Sequence, residues 1–361
     1  MKIEEIYNKV LSGDRIDKKE ALFLLNSNNN EKSSIMPGSG LTVLGMMADK
    51  KCIAEHPEKY RTFIIDRNIN YTNVCVSKCK FCAFYRDVKD DEAYVLSKEE
   101  LFKKIEETIE LGGAQILMQG GLHPDLDFNF YIDMLKSIKE RFKIHIHAFS
   151  PPEIIHFSSI SGYSVSDTIK ALKDAGLDSI PGGGAEILDD RCRKKISPGK
   201  CTTDEWLNVM KEAHNLGLRT TATMMFGHVE SLEERINHLD RIRLLQDETN
   251  GFTAFIPWTF QPKNTEIDVI PLGGFEYLKM VAISRVYLDN IKNIQASWVT
   301  QGSKIAQIAL RFGANDMGST MIEENVVRSA GVTNQMDTKE IIALIENIGY
   351  EAKQRDLFYN T

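Results

Sequence analysis

Short apolar runs rich in β-branched and aromatic residues alternate with amphipathic stretches between about residues 62 and 321. Such alternation predicts parallel strands joined by crossover helices. The predicted strands are residues 62–70, 114–119, 143–149, 177–181, 219–226, 251–260, 293–299 and 316–321. The predicted helices between them are residues 97–111, 128–141, 166–175, 203–216, 232–247, 274–290 and 303–312. About eight such units fit a closed (β/α)8 barrel of the TIM type, and a partial six-stranded barrel is the alternative.

The chain on both sides of this alternation is predicted to be helical. Apolar residues recur at helical spacing over residues 3–10, 18–25 and 39–48, and the polar run 26–34 separates the last two. The predicted domains are a helical N-terminal extension over residues 1–60, an α/β barrel over residues 61–322, and a helical C-terminal segment over residues 323–361 that packs on the barrel as a cap.

The composition is that of an ordinary globular protein, with 42% hydrophobic and 26% charged residues. No apolar run approaches the roughly 20 residues that a membrane-spanning helix needs, and the acidic N-terminus is unlike a signal peptide. The formal net charge of −7 argues against nucleic acid as a partner, because phosphate binding needs clustered Lys and Arg. We therefore expect a cytoplasmic protein that acts on a small molecule, with neither a nucleic-acid nor a membrane partner.

Three of the six cysteines lie close together as Cys75, Cys79 and Cys82, in the spacing C-x3-C-x2-C. Thiolates suit zinc and iron-sulfur clusters. A structural zinc site is closed by four protein ligands, but the next histidine after Cys82 is His123. A cubane of four irons held by three cysteines keeps one iron open for another ligand. The alternatives are a zinc-stabilised scaffold and an iron-sulfur electron carrier, neither of which needs an open iron.

Histidines occur in and just after the predicted strands. In the strand 143–149, apolar residues alternate with His145 and His147. If the apolar set faces the helices, both histidines face the barrel lumen, and His147 lies nearer the carboxyl end, where barrel enzymes carry their chemistry. His123 and His228 follow two other predicted strands. Because imidazole titrates near neutral pH, His147, His123 and His228 are the candidate proton acceptors.

Two glycine-rich turns also follow predicted strands. Gln119, Gly120 and Gly121 end the second strand, and Glu186 ends the run Pro-Gly-Gly-Gly-Ala-Glu after the fourth. Glycines after a strand let the backbone approach a ligand closely. The second turn lacks the Lys-Ser/Thr of a phosphate loop. The basic run 191–200 that follows it offers cations for a ligand carboxylate.

The cysteine spacing, with an aromatic residue directly before the last cysteine, resembles the signature of the radical S-adenosylmethionine (SAM) superfamily. The resemblance implies a 4Fe-4S cluster on Cys75, Cys79 and Cys82, whose open iron binds SAM for cleavage to a 5'-deoxyadenosyl radical. The residues that the resemblance implies for SAM binding are Phe81 beside the adenine, Gln119, Gly120 and Gly121 at the methionine amino group, Ser150, and Glu186 at the ribose or amino group. Many members have Gly-Gly-Glu where this chain has Gln-Gly-Gly, so the acidic acceptor is absent here.

Longer strings resemble the cyclic dehypoxanthine futalosine synthase family, which acts in the futalosine route to menaquinone. The strings are residues 67–75, 120–125, 150–153, 180–186, 221–228 and 255–262. The implied substrate is dehypoxanthine futalosine: the radical removes H4', C4' adds to the benzoate ring, and loss of an electron and a proton restores aromaticity. We hypothesise that His147, His123 or His228 accepts the ring proton. The resemblance also implies an electron donor such as flavodoxin or ferredoxin.

Two other radical SAM enzymes are alternatives. Aminofutalosine synthase adds the deoxyadenosyl group to enolpyruvyl benzoate, and the same cluster and barrel would serve it. The strings Tyr71-Thr-Asn and Pro257-Trp258-Thr-Phe-Gln argue against that enzyme. Deazaflavin-cofactor synthases, which use tyrosine, are the more distant alternative. The aromatic and amide side chains of the later loops favour a neutral or aromatic substrate.

Overall fold

The computed structural model of the protein describes residues 2–26 and 40–361. Most of the predicted polar run and the first residue of the predicted helix 39–48 lie outside the described residues. The N-terminal helices are α1 (Ile3–Leu11), α2 (Lys18–Asn26) and α3 (Gly40–Glu55). Within the described ranges, no helix combines the length and the apolar character needed to cross a membrane.

Ten strands follow the N-terminal helices in the described part of the chain. They are β1 (Tyr60–Ile64), β2 (Asp66–Asn70), β3 (Gln115–Gln119), β4 (His145–Ala148), β5 (Ser179–Ile180), β6 (Arg219–Phe226), β7 (Phe252–Thr259), β8 (Asn293–Ile294), β9 (Asp316–Ser319) and β10 (Glu351–Gln354). Strands β2 to β8 form one sheet in chain order, and β10, β1 and β9 form a second. Both sheets are parallel throughout.

Backbone hydrogen bonds connect the two sheets into a curled barrel. Ala296 N donates to Asp316 O over 2.9 Å, which connects the end of β8 to β9. Ile322 N donates to Asp66 O over 3.2 Å, which connects the chain after β9 to β2. The predicted first strand is therefore divided at Ile65 into two strands. The first, β1, pairs with β9, and the second, β2, pairs with β3. The predicted α/β (β/α)8 architecture is confirmed, and the six-stranded alternative is not the one adopted.

The remaining helices lie between and after the strands. They are α4 (Lys98–Glu110), α5 (Phe128–Arg141), α6 (Pro151–Ser161), α7 (Val165–Asp174), α8 (Asp190–Ile196), α9 (Thr203–Asn215), α10 (Leu232–Thr249), α11 (Gly274–Tyr287), α12 (Trp298–Gln301), α13 (Ser303–Ala309), α14 (Val326–Ser329) and α15 (Thr338–Glu346). Capping boxes start several of them: Ser97 accepts from Glu100 N, and Thr202 accepts from Glu205 N. A side-chain oxygen that satisfies a free helical N–H explains why these boundaries agree with the sequence prediction.

Several segments differ from the predicted secondary structure, among them α6 and α8, which were not predicted. The predicted strand 293–299 is wrong beyond Ile294, because α12 begins at Trp298 and the indole Nε1 donates to Ser319 O over 2.8 Å. The chain after residue 322, predicted to be helical, contains α14 and α15 and also β10, which extends the second sheet along β1. The cap is therefore helical with a strand near its end.

The residues after β10 close the amino-terminal end of the barrel. Arg355 N donates to Phe63 O, and the buried guanidinium of Arg355 makes two hydrogen bonds with the carboxylate of Asp316, at 2.7 and 3.0 Å. Burial opposes the charge of Arg355, but Asp316, Tyr359 and Asp66 outweigh it and hold its pKa above the usual value. The ion pair therefore fixes the last residues of the chain beneath the lumen.

We predict that Arg355→Leu lowers the free energy of unfolding by about 3–5 kcal/mol, because the substitution leaves the buried carboxylate of Asp316 without its cation. The midpoint of urea unfolding measures the change. Lys353→Leu is the matched control, since Lys353 pairs only loosely with Glu351, at 3.8 Å, and should cost about 1 kcal/mol or less. Equal midpoints for the Arg355 variant and the parent would contradict the proposed anchoring.

Candidate active site

The three predicted cluster ligands lie on one loop between β2 and α4. Cys75 N donates to Arg86 O over 3.1 Å, and Cys82 N donates to Cys79 O over 3.0 Å. Cys79 is buried, and Cys75 and Cys82 are half-buried. The loop therefore holds three thiols at the carboxyl end of β2 through its backbone hydrogen bonds.

The donor set of this loop fits a multi-iron cluster better than a single zinc ion. Among the described residues, the three thiols belong to no group of ligand atoms that all lie within 4.8 Å of one another. One tetrahedral zinc ion would hold its thiolates about 3.8 Å apart. Burial raises the pKa of the Cys79 thiol to about 11, and Lys200 opposes this effect. A cation beside the loop therefore favours the thiolate form that metal binding requires.

The cations of the basic run 191–200 have different roles. Arg191 forms an ion pair with Glu234, and Arg193 donates to three backbone carbonyl groups around α8. Both arginines therefore stabilise the local fold. Lys200 instead reaches the cluster loop, where it lies beside the ring of Phe81. Arg193 also lies 3.6 Å from Glu186.

Lys200 connects two of the residues predicted to bind SAM. Its Nζ lies 3.0 Å from Glu186 Oε1 and 4.8 Å from the centroid of the Phe81 ring. Burial would lower the pKa of Lys200, but the negative charges of Cys79 and Glu186 outweigh this effect and raise it. Glu186 is 5% exposed, and its Oε2 accepts no hydrogen bond from the described residues, although the guanidinium of Arg193 lies 3.6 Å from it. A buried carboxylate oxygen without a donor is a position where a ligand N–H or O–H group fits.

The glycines at the end of β3 make room for the chain itself. A Cβ on Gly121 would lie 2.1 Å from Val74 O, and a Cβ on Gly120 would lie 2.4 Å from the ring of Tyr71. Gly121 N also donates to Thr72 O over 3.0 Å. The two glycines therefore let the start of the cluster loop pack directly on the end of β3. This close approach positions the loop.

A buried carboxylate that the sequence did not single out organises the same region. Glu153 Oε1 accepts hydrogen bonds from Tyr71 Oη at 2.6 Å and Gly120 N at 3.0 Å. Its Oε2 accepts from Ser150 N and Ser150 Oγ, both at 2.6 Å. The Ser150 hydroxyl is therefore engaged within the protein. The Ser-Pro-Pro-Glu string is a capping-box pattern, so the helix start could have been found in the sequence.

A cavity of about 270 Å³ occupies the barrel lumen. Its wall combines aromatic side chains, Trp258 and Trp298, with polar ones, among them Gln119, Glu186 and His147. The aromatic and amide lining predicted for the later loops is therefore present. An apolar wall with a few polar groups is typical of a small-molecule site.

Two amide side chains that line the cavity have acceptor atoms without hydrogen-bond partners among the described residues. Gln115 Nε2 donates to Asp66 Oδ2 over 2.9 Å, and Asn68 Nδ2 donates to Glu324 Oε2 over 2.8 Å. The amide oxygens of both residues are buried and have no hydrogen-bond partner among the described residues. These oxygens would accept hydrogen bonds from hydroxyl groups of a bound ligand.

Of the three candidate proton acceptors, His147 lines the cavity. It is 5% exposed, and its Nδ1 lies 2.7 Å from Ser179 Oγ. Burial lowers the pKa of His147 well below its usual value, and the nearby His145 and Arg355 lower it further. The ring is therefore neutral near pH 7 and able to accept a proton.

The other two histidines are engaged outside the cavity lining. Nδ1 of His123 accepts from Asp125 N over 3.1 Å. Nδ1 of His228 accepts from Val229 N over 2.7 Å, and its Nε2 lies 3.1 Å from Met225 O. Burial lowers the pKa of both rings. The hydrogen bonds of His123 and His228 therefore stabilise the loops after β3 and β6.

Two family models match this chain. One is described as the radical SAM superfamily and matches residues 69–242. The other is described as the CofH/MqnC C-terminal region and matches residues 249–361. Together they span the barrel and the C-terminal cap.

Curated relatives are similar over most of the chain. The cyclic dehypoxanthine futalosine synthase of Halalkalibacterium halodurans is 46% identical, with 99% of this chain and 95% of the relative covered. The enzyme of the same name from Streptomyces coelicolor is 42% identical, over 99% of this chain and 88% of the relative. The 5-amino-6-(D-ribitylamino)uracil–L-tyrosine 4-hydroxyphenyl transferase of Archaeoglobus fulgidus is 47% identical, over 83% of this chain and 88% of the relative.

Solved structures share the fold. The FeFe-hydrogenase maturase of Carboxydothermus hydrogenoformans superposes with a TM-score of 0.75 at 15% identity, over 99% of this chain and 81% of that one. Methylornithine synthase superposes with a TM-score of 0.72 at 20% identity, over 96% of this chain and 97% of that one. At such low identity the likeness concerns the barrel alone.

The family matches and the full-length relatives agree with the cysteine loop and the barrel. The protein is an enzyme, and its cofactors are a 4Fe-4S cluster and SAM. The chain belongs to the radical SAM superfamily and, within it, to the family of the cyclic dehypoxanthine futalosine synthases.

Proposed function

We propose that the enzyme cyclises dehypoxanthine futalosine to cyclic dehypoxanthine futalosine, a step of menaquinone biosynthesis. The observation that carries the proposal is the similarity to cyclic dehypoxanthine futalosine synthases over 99% of this chain. The lumen supports it, because an aromatic wall suits the benzoate ring and the free amide oxygens of Asn68 and Gln115 suit ribose hydroxyl groups.

In this proposal Cys75, Cys79 and Cys82 hold the 4Fe-4S cluster. When bound, the reduced cluster and SAM supply a 5'-deoxyadenosyl radical that takes a hydrogen atom from C4' of the substrate. A flavodoxin or ferredoxin is the proposed electron donor. The barrel keeps the reacting atoms close and excludes water from them.

The proposed SAM-binding residues divide into two groups by what they contact. Phe81 and Glu186 lie around Lys200. We assign the adenine to the Phe81 ring and a SAM donor group to Glu186 Oε2, which accepts no hydrogen bond from the described residues. Gln119 lines the cavity beside them and offers its amide. Gly120, Gly121 and Ser150 act by shaping the loop, because their atoms already contact Tyr71, Val74 and Glu153.

The cyclisation requires a proton acceptor and an electron acceptor. The C4' radical forms a carbon–carbon bond to the benzoate ring, which leaves an unpaired electron in that ring. An oxidised iron-sulfur or flavin carrier takes this electron, and the ring proton moves to Nε2 of His147. A neutral imidazole that faces the lumen is suited to this transfer, because its Nε2 can accept a proton without first losing one.

The transferase reaction is the second candidate function. The Archaeoglobus fulgidus transferase is 47% identical over 83% of this chain, and its name gives 5-amino-6-(D-ribitylamino)uracil and L-tyrosine as substrates. The hydroxyl groups of the ribityl chain of that uracil substrate would also suit the amide oxygens of Asn68 and Gln115 in the lumen. The cyclase proposal is favoured because the two cyclic dehypoxanthine futalosine synthases match 99% of this chain, whereas the transferases match between 82% and 95% of it.

We predict that the reconstituted enzyme, given dehypoxanthine futalosine, SAM and a reductant without oxygen, forms a product lighter than the substrate by two hydrogen atoms. Free 5'-deoxyadenosine should accumulate with it, and mass spectrometry follows both. The same assay is run with ribitylaminouracil plus tyrosine and with enolpyruvyl benzoate. Turnover of either alternative instead of dehypoxanthine futalosine would overturn the substrate assignment while leaving the radical SAM assignment intact.

We predict that Cys79→Ala abolishes the cluster, because too few thiolates remain to hold it. Iron and sulfide analysis after anaerobic reconstitution should fall close to zero. Cys52→Ala is the matched control, since Cys52 is fully buried and its Sγ lies 3.7 Å from Ala314 O, away from the cluster loop. Full iron content in the Cys79 variant would refute the assignment of the cluster ligands.

We predict that His147→Gln lowers the rate of cyclised product by about 100-fold or more, the range for a positioned proton acceptor. His123→Gln and His228→Gln should have much smaller effects, because neither ring lines the cavity. In the parent enzyme, the rate should stay level as the pH falls through 6.5, because burial lowers the pKa of His147 and keeps the ring neutral there. A rate that halves near pH 6.5, or a larger loss in the other variants, would contradict the assignment.

A further inference from the structure

We propose that Ser179 and His145 form a proton path that carries the substrate proton from His147 to the amino-terminal end of the barrel. The inference rests on the proposed role of His147 as proton acceptor. It adds two residues that contact neither substrate nor cofactor and act through His147.

The three side chains form a continuous hydrogen-bonded chain. His147 Nδ1 lies 2.7 Å from Ser179 Oγ, and Ser179 Oγ lies 2.7 Å from His145 Nε2. The fold fixes this order, because His145 and His147 occupy alternate positions of β4 and Ser179 is paired with His147 on β5. Ser179 is fully buried, so its hydroxyl exchanges protons with the two imidazoles rather than with solvent.

The far end of the path reaches the surface beside the C-terminal residues. His145 is half-buried, and its ring lies 5.8 Å from the ring of Phe358, which is 50% exposed. The charged groups around His145 are Asp178, Lys139 and Asp356. A proton that arrives at His145 can therefore leave to water at the amino-terminal end, opposite the cluster loop.

The surroundings of His147 favour passing the proton on. Burial lowers the pKa of both histidines, and His145 and Arg355 lower the pKa of His147 further. The imidazolium formed by proton transfer in the lumen is therefore unstable. Passing the proton on prevents its return to the product ring.

The transfer is balanced in protons and uses no electrons. In the resting chain, His147 Nδ1–H donates to Ser179 Oγ, and Ser179 O–H donates to His145 Nε2. The substrate proton bonds to His147 Nε2, the Nδ1 proton moves to Ser179, the Ser179 proton moves to His145 Nε2, and the Nδ1 proton of His145 leaves to water. After the product leaves, the reverse hops reset the chain: water protonates His145 Nδ1, the Nε2 proton of His145 returns to Ser179, the Ser179 proton returns to His147 Nδ1, and His147 Nε2 releases its proton to water in the lumen.

The first experiment compares Ser179→Ala with the parent holoenzyme on whichever substrate the parent turns over. The ratio of final product to 5'-deoxyadenosine should fall about tenfold, less than the loss from removing the acceptor itself, while formation of 5'-deoxyadenosine continues. Ser179→Thr, which keeps a hydroxyl, should restore the ratio. Ser284→Ala is the control, because Ser284 is equally buried and donates to Met280 O on α11.

His145→Asn is the second variant and should lower the same ratio without replacing the serine. An unchanged ratio in both Ser179→Ala and His145→Asn, with His147→Gln impaired, would overturn the path and leave His147 as acceptor. An unchanged ratio in His147→Gln would overturn the acceptor and the path together.

A second measurement does not depend on turnover. Nitrogen-15 NMR of histidine-labelled oxidised holoenzyme near pH 7 should show both rings neutral with the proton on Nδ1, and Ser179→Ala should change the chemical shifts of both rings. A protonated imidazolium at either position, or rings that do not respond to the serine substitution, would overturn the proposal.

Discussion

The carboxylate of Glu153 is the constraint on which the active-site end of the barrel depends. It accepts four hydrogen bonds, from Tyr71 Oη, Gly120 N, Ser150 N and Ser150 Oγ. Burial raises the pKa of Glu153, and these donors oppose the rise. Because the donors come from the residues that follow β2, β3 and β4, the Glu153 side chain holds the three loops in place relative to one another. The cluster loop begins four residues after Tyr71, so its position over the lumen depends on the same hydrogen bonds.

Two buried cations at or near the lumen, Arg355 and Lys200, already have carboxylate partners. Arg355 is committed to Asp316, and Lys200 is committed to Glu186. A cation that already has a close carboxylate partner gains less from a substrate carboxylate than a free one would. Recognition of a benzoate by either cation would therefore require exchange of an existing ion pair, whereas the free amide oxygens accept hydroxyl groups at no such cost.

Most of the barrel could be predicted from the sequence, because several of its helices begin with capping boxes and its longer strands are rich in β-branched and aromatic residues. Prediction failed at β8, which has two residues, and at α6, although α6 begins with a capping box. The indole of Trp298 is held by a hydrogen bond to β9 that only the folded barrel provides. The cysteine loop could be found from spacing alone. The role of Glu153 beyond its capping box could not, because Tyr71 and Gly120 are distant from it in the sequence. The roles of Gly120 and Gly121 depend on a close approach that the turn pattern does not show.

The placement of the proposed chemistry follows from the difference between loops and strands. The cluster ligands, Phe81 and Lys200 lie on loops, which can adjust when cofactors bind. His147, Ser179 and His145 lie on β4 and β5, and the pairing of these strands in the sheet holds the three side chains within hydrogen-bonding distance of one another. Proton transfer falls steeply with donor–acceptor distance, so strands are the better support for it. A radical reaction that ends by losing a proton therefore benefits from a barrel that has adaptable loops at one end and a rigid hydrogen-bonded chain beneath them.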